Sequence, residues 1–133
     1  MKTSKVLVAA AALVAAFANT VSATSPVPNL RSATARSRHV VVVYSLGELA
    51  PARILVATRA TTEPNGRFVT ANIRLNEPLT GTKLAGGYRM RTKHALRAGR
   101  YYVQVSGVVV GLDCTPKKPC KTDWSNVRRV TVK

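Results

Sequence analysis

Leu96-Arg97-Ala98-Gly99-Arg100-Tyr101-Tyr102-Val103-Gln104-Val105 is the stretch on which the fold turns. Ala98-Gly99 marks a reversal of the chain. From Tyr101 to Val110 the residues are of the β-branched and aromatic types that pack well on a pleated, half-buried surface. Side chains of a strand point alternately to its two faces, so Tyr101, Val103 and Val105 share one face.

The same signature recurs on both sides of this segment. Upstream, His39 to Leu46 contains the continuous apolar run Val40 to Val43, expected of a strand buried on both faces. Gly47 to Pro51 breaks it, Arg53 to Arg59 is the next strand, and Glu63-Pro64-Asn65-Gly66 turns the chain into Arg67 to Leu75. In that segment Val69, Ala71, Ile73 and Leu75 are expected on one face, with Thr70, Asn72 and Arg74 on the other. Asn76 to Gly87, with Pro78, Gly81 and Gly86-Gly87, reads as a loop or weak edge. Tyr88 to His94 resumes the alternation, placing Arg89, Arg91 and Lys93 on one side and Tyr88, Met90 and Thr92 on the other. Downstream, Val127 to Lys133 ends the chain with Val130 and Val132 in phase. No window of the region after residue 23 carries a helical stripe with capping signals. About seven short strands in roughly a hundred residues predict an all-β fold, a single antiparallel sandwich.

Leu96 to Val105 also resembles the fibronectin type III stretch in which a strand ends on Leu, the chain turns, and the next strand starts on a Tyr. The segment Trp124-Ser125-Asn126-Val127-Arg128-Arg129-Val130-Thr131-Val132 resembles that family's last strand. The resemblance spans about residues 39 to 133 and implies an Ig-like, fibronectin type III-like β-sandwich. It further implies a tyrosine corner, a Tyr hydroxyl bonded back to upstream backbone. Phase with Val103 and Val105 assigns that role to Tyr101, while distance from Leu96 points to Tyr102; the face of the strand favours Tyr101. The chain departs from the family in having Tyr44 where a Trp is usual, Ala98 in place of the turn proline, and an added loop between Cys114 and Cys120.

The start of the chain has a different character. Lys2 and Lys5, the Ala- and Val-rich run Val6 to Phe17, and Val21-Ser22-Ala23 form the charged, apolar and small-residue regions of a secretory signal peptide over residues 1–23. Cleavage is expected after Ala23, with Ala18 as the alternative. The apolar run is shorter than the roughly 20 residues that span a bilayer. Residues 24–38, with Pro26 and Pro28, read as a flexible basic lead-in with room for a short first edge strand, and residues 39–133 as the sandwich. A secreted or cell-surface location is expected. The short Ala-rich signal and the absence of an Asn-x-Ser/Thr acceptor point to a bacterial source.

Export bears on the cysteines. Cys114 and Cys120, separated by five residues, are expected to form a short-range disulfide in an oxidising compartment. The alternative, half of a zinc site, would use an unusual ligand spacing that only His39 and His94 could complete.

The charge is the other outstanding feature. The 133 residues hold 21 Lys plus Arg against 5 Asp plus Glu, a formal balance of +16. Loss of Lys2 and Lys5 with the signal takes this to +14. Arg89, Arg91 and Lys93 predict a cationic stripe on one strand face, and Lys117, Lys118 and Lys121 a charged loop tip. Such surfaces attract polyanions by releasing counterions, without reading sequence. The same arginines also suit a solvated strand face guarded against edge pairing. Export and the scarcity of aromatics, 5% of residues, argue against dedicated nucleic-acid binding.

Catalytic motifs are missing. There is no Gly-x-Ser-x-Gly elbow, no His-Glu-x-x-His and no phosphate loop. His39 and His94 are the only imidazole bases and are expected to be structural or solvated. Asp113 and Asp123 flank the cysteine loop, where they would cap turns or pair with its lysines; a cation site or a glycosidase-like pair is the competing reading, weakened by those lysines. Trp124 is read first as packing at the end of the sandwich and second as an interface anchor. The expectation is a non-enzymatic, monomeric binding or adhesion-type module without cofactor or metal. Its ligand, a protein or cell-surface molecule, would meet the loop end bearing Trp124 and the basic residues. The alternative is non-specific attachment to anionic cell-wall, polysaccharide or membrane polymers.

Overall fold

The computed structural model describes residues 27–111, 113–114, 117 and 121–133; the signal peptide expected at 1–23 lies outside the described residues. Among the described residues nine strands follow in chain order: β1 Asn29–Arg36, β2 His39–Ser45, β3 Ala50–Ala57, β4 Ile73–Pro78, β5 Thr82–Leu84, β6 Gly87–Arg91, β7 Gly99–Val108, β8 Thr122–Trp124 and β9 Arg128–Val132. They make two antiparallel sheets. One has the order β1-β2-β6-β5, the other β4-β3-β7-β8, with β9 also paired to β7.

The core lies between the sheets and follows the period of two. Val40, Val42 and Tyr44 of β2 face Ile54 and Val56 of β3, Tyr101, Val103 and Val105 of β7, and Val130 and Val132 of β9. The phase expected for Tyr101, Val103, Val105, Val130 and Val132 is the one observed. Tyr44 occupies the centre of one end, 1% exposed, its hydroxyl donating to the Thr80 carbonyl oxygen at 3.1 Å and its ring stacked on Tyr88. Burial, and secondarily the neighbouring Tyr88, pushes its phenol up to about 12. A Cβ on Gly81 would collide with that hydroxyl, which is why the β4–β5 link passes there on a glycine.

Three readings of the sequence are corrected. Residues 29–36, read as a flexible lead-in with room for a short first edge strand, form an edge strand of eight residues paired along its length with β2. The pairing is clamped from the far end of the chain: the Asn126 side chain accepts the Leu30 N–H and donates to the Leu30 carbonyl oxygen, both at 2.9 Å, and Arg128 Nε donates to that oxygen at 3.1 Å. No local pattern in Asn29–Arg36 reveals partners almost a hundred residues away.

The second correction concerns Arg67 to Leu75, which is not one strand. Phe68 makes an isolated bridge with Thr62, Thr70–Asn72 is a 3-10 turn, and β4 starts only at Ile73 and runs through Pro78, an edge position where a missing N–H is tolerated. The reason is tertiary. Leu55 and Ala57 on the outer face of the second sheet are apolar, and the excursion from β3 to β4 folds back to bury them under Phe68, itself fully buried. Gln104 fastens it there, its Oε1 accepting the Phe68 N–H at 2.7 Å and its Nε2 donating to the Gly66 carbonyl oxygen at 2.9 Å. Ala71, expected to face the core, is exposed.

Third, the described residues form nine strands rather than about seven; those beyond the segments read individually are β1 and two three-residue edge strands, β5 and β8. β8 and β9 are two halves of one run along β7, interrupted at 125–127 by Ser125, whose Oγ accepts the Val105 N–H at 2.9 Å.

Candidate functional site

The outer face of the β1-β2-β6-β5 sheet can be read from its register. Val41 pairs with Arg91 and Val43 with Arg89; Thr34 and Ser32 lie beside those valines on β1, and Thr82 beside Arg89 on β5. Since paired residues share a face, Arg89 and Arg91 stand about 7 Å apart along β6 on the side away from the core. The β1–β2 hairpin adds a third arginine. Its two-residue turn, Ser37 and Arg38, has φ of +50 and +68 at both positions, the geometry that matches the twist of the flanking strands, and it sets Arg36 at the rim of the same face.

A fourth arrives through a bulge. The β1–β2 register shifts between Leu30 and Ser32, leaving Arg31 as the extra residue. Bulges re-aim side chains. Here Arg31 reaches across β2 until its Nη1 lies 3.7 Å from where a Cβ on Gly87 would stand, an ordinary van der Waals approach; what keeps Gly87 a glycine is the Tyr44 carbonyl oxygen, 2.7 Å from the same point. Arg31, Arg89 and Arg91 thus form a row of about 13 Å, the length of four residues of strand.

None of these four guanidiniums makes a hydrogen bond or ion pair among the described residues, in contrast to Arg53, Arg67, Arg74 and Arg128, which are tied to side chains or backbone. The ion pairs among the described residues are His94 with Glu77 and Lys121 with Asp123, neither on this face. Arg36, Ser37, Val41, Thr82, Leu84, Arg89 and Arg91 enclose an open groove of about 570 Å³, with Val41 at its floor and only 6% exposed.

The chain leaving β6 is held by a buried carboxylate. Glu77, 4% exposed, accepts the N–H groups of Lys93 and His94 at 2.8 and 3.0 Å and lies 3.0 Å from His94 Nδ1. Burial pushes its pKa up, but the bonds from Lys93 and His94 and the nearby imidazole outweigh that, and the carboxyl sits below its ordinary value. Lys93 is exposed but lies beyond the end of β6 and does not line the groove. His39 Nδ1 is 2.8 Å from the Thr92 carbonyl oxygen, a second tie between β2 and this segment.

The other candidates lie elsewhere. Trp124 sits on the outer face of the opposite sheet, packed with Phe68, Leu55 and Ala57, with the Arg67 guanidinium 5.9 Å from its ring centroid. The loop-end site combining Trp124 with Arg89, Arg91 and Lys93 therefore does not assemble, because the two sets decorate opposite faces of the molecule. Lys117 is exposed and Lys121 lies 3.5 Å from Asp123; Lys118 and Cys120, and with Cys120 the expected bridge to Cys114, lie outside the described residues. The Tyr101 hydroxyl donates to the Arg97 carbonyl oxygen at 2.8 Å. Arg31 and Arg36 escaped the sequence reading. Alternation would have placed Arg36 only once the lead-in was known to be a strand, and nothing local signals the bulge at Arg31.

Fold and site together define an all-β domain of two antiparallel sheets with a cationic groove on one outer face. Among the described residues no helix is long and apolar enough to cross a membrane. Compared with protein-family models, curated proteins and solved structures, the chain matches none of them.

Proposed function

We propose that this chain is an exported, non-enzymatic binding module on an Ig-like, fibronectin type III-like sandwich, and that it engages an anionic partner through the outer face of the β1-β2-β6-β5 sheet. The strand order supports the sandwich assignment. β1-β2-β6-β5 corresponds to strands A-B-E-D of an immunoglobulin-type domain, and β4-β3-β7-β9 to C′-C-F-G. The Tyr101 to Arg97 bond has the form of that architecture's tyrosine corner.

The observation that carries the functional reading is the gathering of Arg31, Arg36, Arg89 and Arg91 on one face without a carboxylate among them. Arginines placed to solvate a strand face need no common groove. Arg36, Arg89 and Arg91 enclose one, with Arg31 on the same face beyond its end, and their charge is left for a ligand to neutralise. The test is retention on an immobilised polyanion at low ionic strength, released as salt rises. The variant Arg89→Gln/Arg91→Gln should elute at distinctly lower salt than the parent, whereas Trp124→Ala should elute with it. Parental elution of the arginine variant, or a loss confined to Trp124→Ala, sinks the assignment.

A further inference from the structure

Resting on that reading, the groove specifies its ligand more narrowly. We infer that the groove bounded by Arg36, Arg89, Arg91, Thr82 and Leu84 binds a linear acidic polysaccharide, its carboxylate or sulfate groups held by the arginines and its hydroxyls by Thr82 and Ser37. The volume of about 570 Å³ falls within the range of roughly 300–1,000 Å³ typical of small-ligand sites, enough for a short oligosaccharide segment. The row from Arg31 to Arg91 continues beyond the groove along β6, so charge is presented along a line, as an extended chain requires and a single small anion does not.

The composition of the face selects among polyanions. A single-stranded nucleic acid would find no platform for its bases: the outward positions of β1, β2, β6 and β5 carry no Phe, Tyr or Trp, and Tyr44 and Tyr88 stack on each other on the core side. A membrane surface would need large apolar or aromatic side chains to insert, and this face offers only the aliphatic Leu84 and, at its edge, Val27, 39% and 44% exposed, beside a half-buried Val43 and the sunken Val41. What remains is cationic charge interleaved with the hydroxyls of Ser32, Thr34, Ser37 and Thr82. Guanidiniums give bidentate, charge-assisted bonds to carboxylate or sulfate, and hydroxyls both donate to and accept from sugar hydroxyls.

The experiment measures, by calorimetry or fluorescence anisotropy, the affinity of the full chain for four probes at matched charge and low salt: an oligogalacturonide, a sulfated dextran oligosaccharide, an oligothymidylate, and vesicles containing anionic lipid. Either sugar should bind more tightly than the oligonucleotide and the vesicles; which of the two binds better tells carboxylate from sulfate. Arg89→Gln/Arg91→Gln should weaken sugar binding about tenfold and make log K less steep in log salt. The control Arg100→Gln/Arg129→Gln removes the same charge from exposed positions on the opposite sheet and should change affinity less than threefold. Equal losses in the two variants would reduce the effect to net charge, and preference for DNA or vesicles would assign another ligand class; each overturns this inference while leaving an anion-binding module standing. Failure of the parent chain to bind any of the four probes would remove the broader reading as well. Because Arg89 and Arg91 are exposed and make no bonds among the described residues, the variant should fold, and an unchanged thermal midpoint checks it.

Discussion

Replacing Tyr101 by Phe deletes one oxygen and leaves the ring in the core. The hydroxyl donates to the Arg97 carbonyl oxygen at 2.8 Å from a side chain only 8% exposed. A net intramolecular hydrogen bond contributes about 0.5–1.5 kcal/mol. The upper part of the desolvation penalty does not apply, because Arg97 is exposed and water can take over its carbonyl. The expected loss is therefore about 1 kcal/mol, which lowers the thermal midpoint by roughly 4–8 °C in a domain of this size. With an m-value of about 2 kcal/mol/M, the urea midpoint falls by roughly 0.5 M. The informative control is Tyr102→Phe. That ring is half-buried in the second apolar cluster and its hydroxyl makes no hydrogen bond among the described residues, so its loss should stay within about 0.5 kcal/mol. Urea titrations followed by Trp124 fluorescence measure both. Equal effects, or a larger one at Tyr102, would refute the argument that strand phase rather than loop length selects the corner residue.

Gln104→Leu orphans the buried Phe68 N–H and releases the Gly66 carbonyl, and should cost about 2–4 kcal/mol with early loss of protection at the Phe68 amide in hydrogen exchange; a neutral result would mean that the excursion over the second sheet is held by Phe68 alone. Stability should fall in acid through Glu77. Its native pKa lies below its ordinary 4.5, so its contribution is complete above about pH 4.5 and disappears as pH drops through the native value; Glu77→Gln should flatten that limb of a stability-against-pH curve. In spectrophotometric titration, one phenol, that of Tyr44, should stay protonated until about pH 12 while the fold persists, and an exposed-type titration of all tyrosines would contradict its burial. Ser37→Asn/Arg38→Gly should raise stability by about 1 kcal/mol, because it relieves two non-glycine residues held at positive φ; a drop in the thermal midpoint would show that the turn is not under that strain.

Residues 39–133 disclosed most of their strands because alternation is a local property. Tyr101, Val103, Val105, Val130 and Val132 needed only their spacing to be placed in phase, and Arg89 and Arg91 only theirs to be placed on one strand face, whereas the continuous run Val40 to Val43 left the two faces of its strand undistinguished. The sequence by itself thus determined an all-β chain with a basic strand face. What it could not determine depends on partners distant in the chain. Asn29–Arg36 lacks a hydrophobic run and is a strand only because β2 and Asn126 hold it. Arg67 to Leu75 alternates yet breaks, since burying Phe68 over Leu55 and Ala57 outweighs continuing the ladder. The groove shows the same division: periodicity set Arg89 and Arg91 on one face, but the sheet pairing brought Arg36 beside them and the bulge turned Arg31 toward Gly87. The tertiary structure likewise separated Trp124 from all four, because the face a residue occupies is local while the neighbours on that face are chosen by which strands pair.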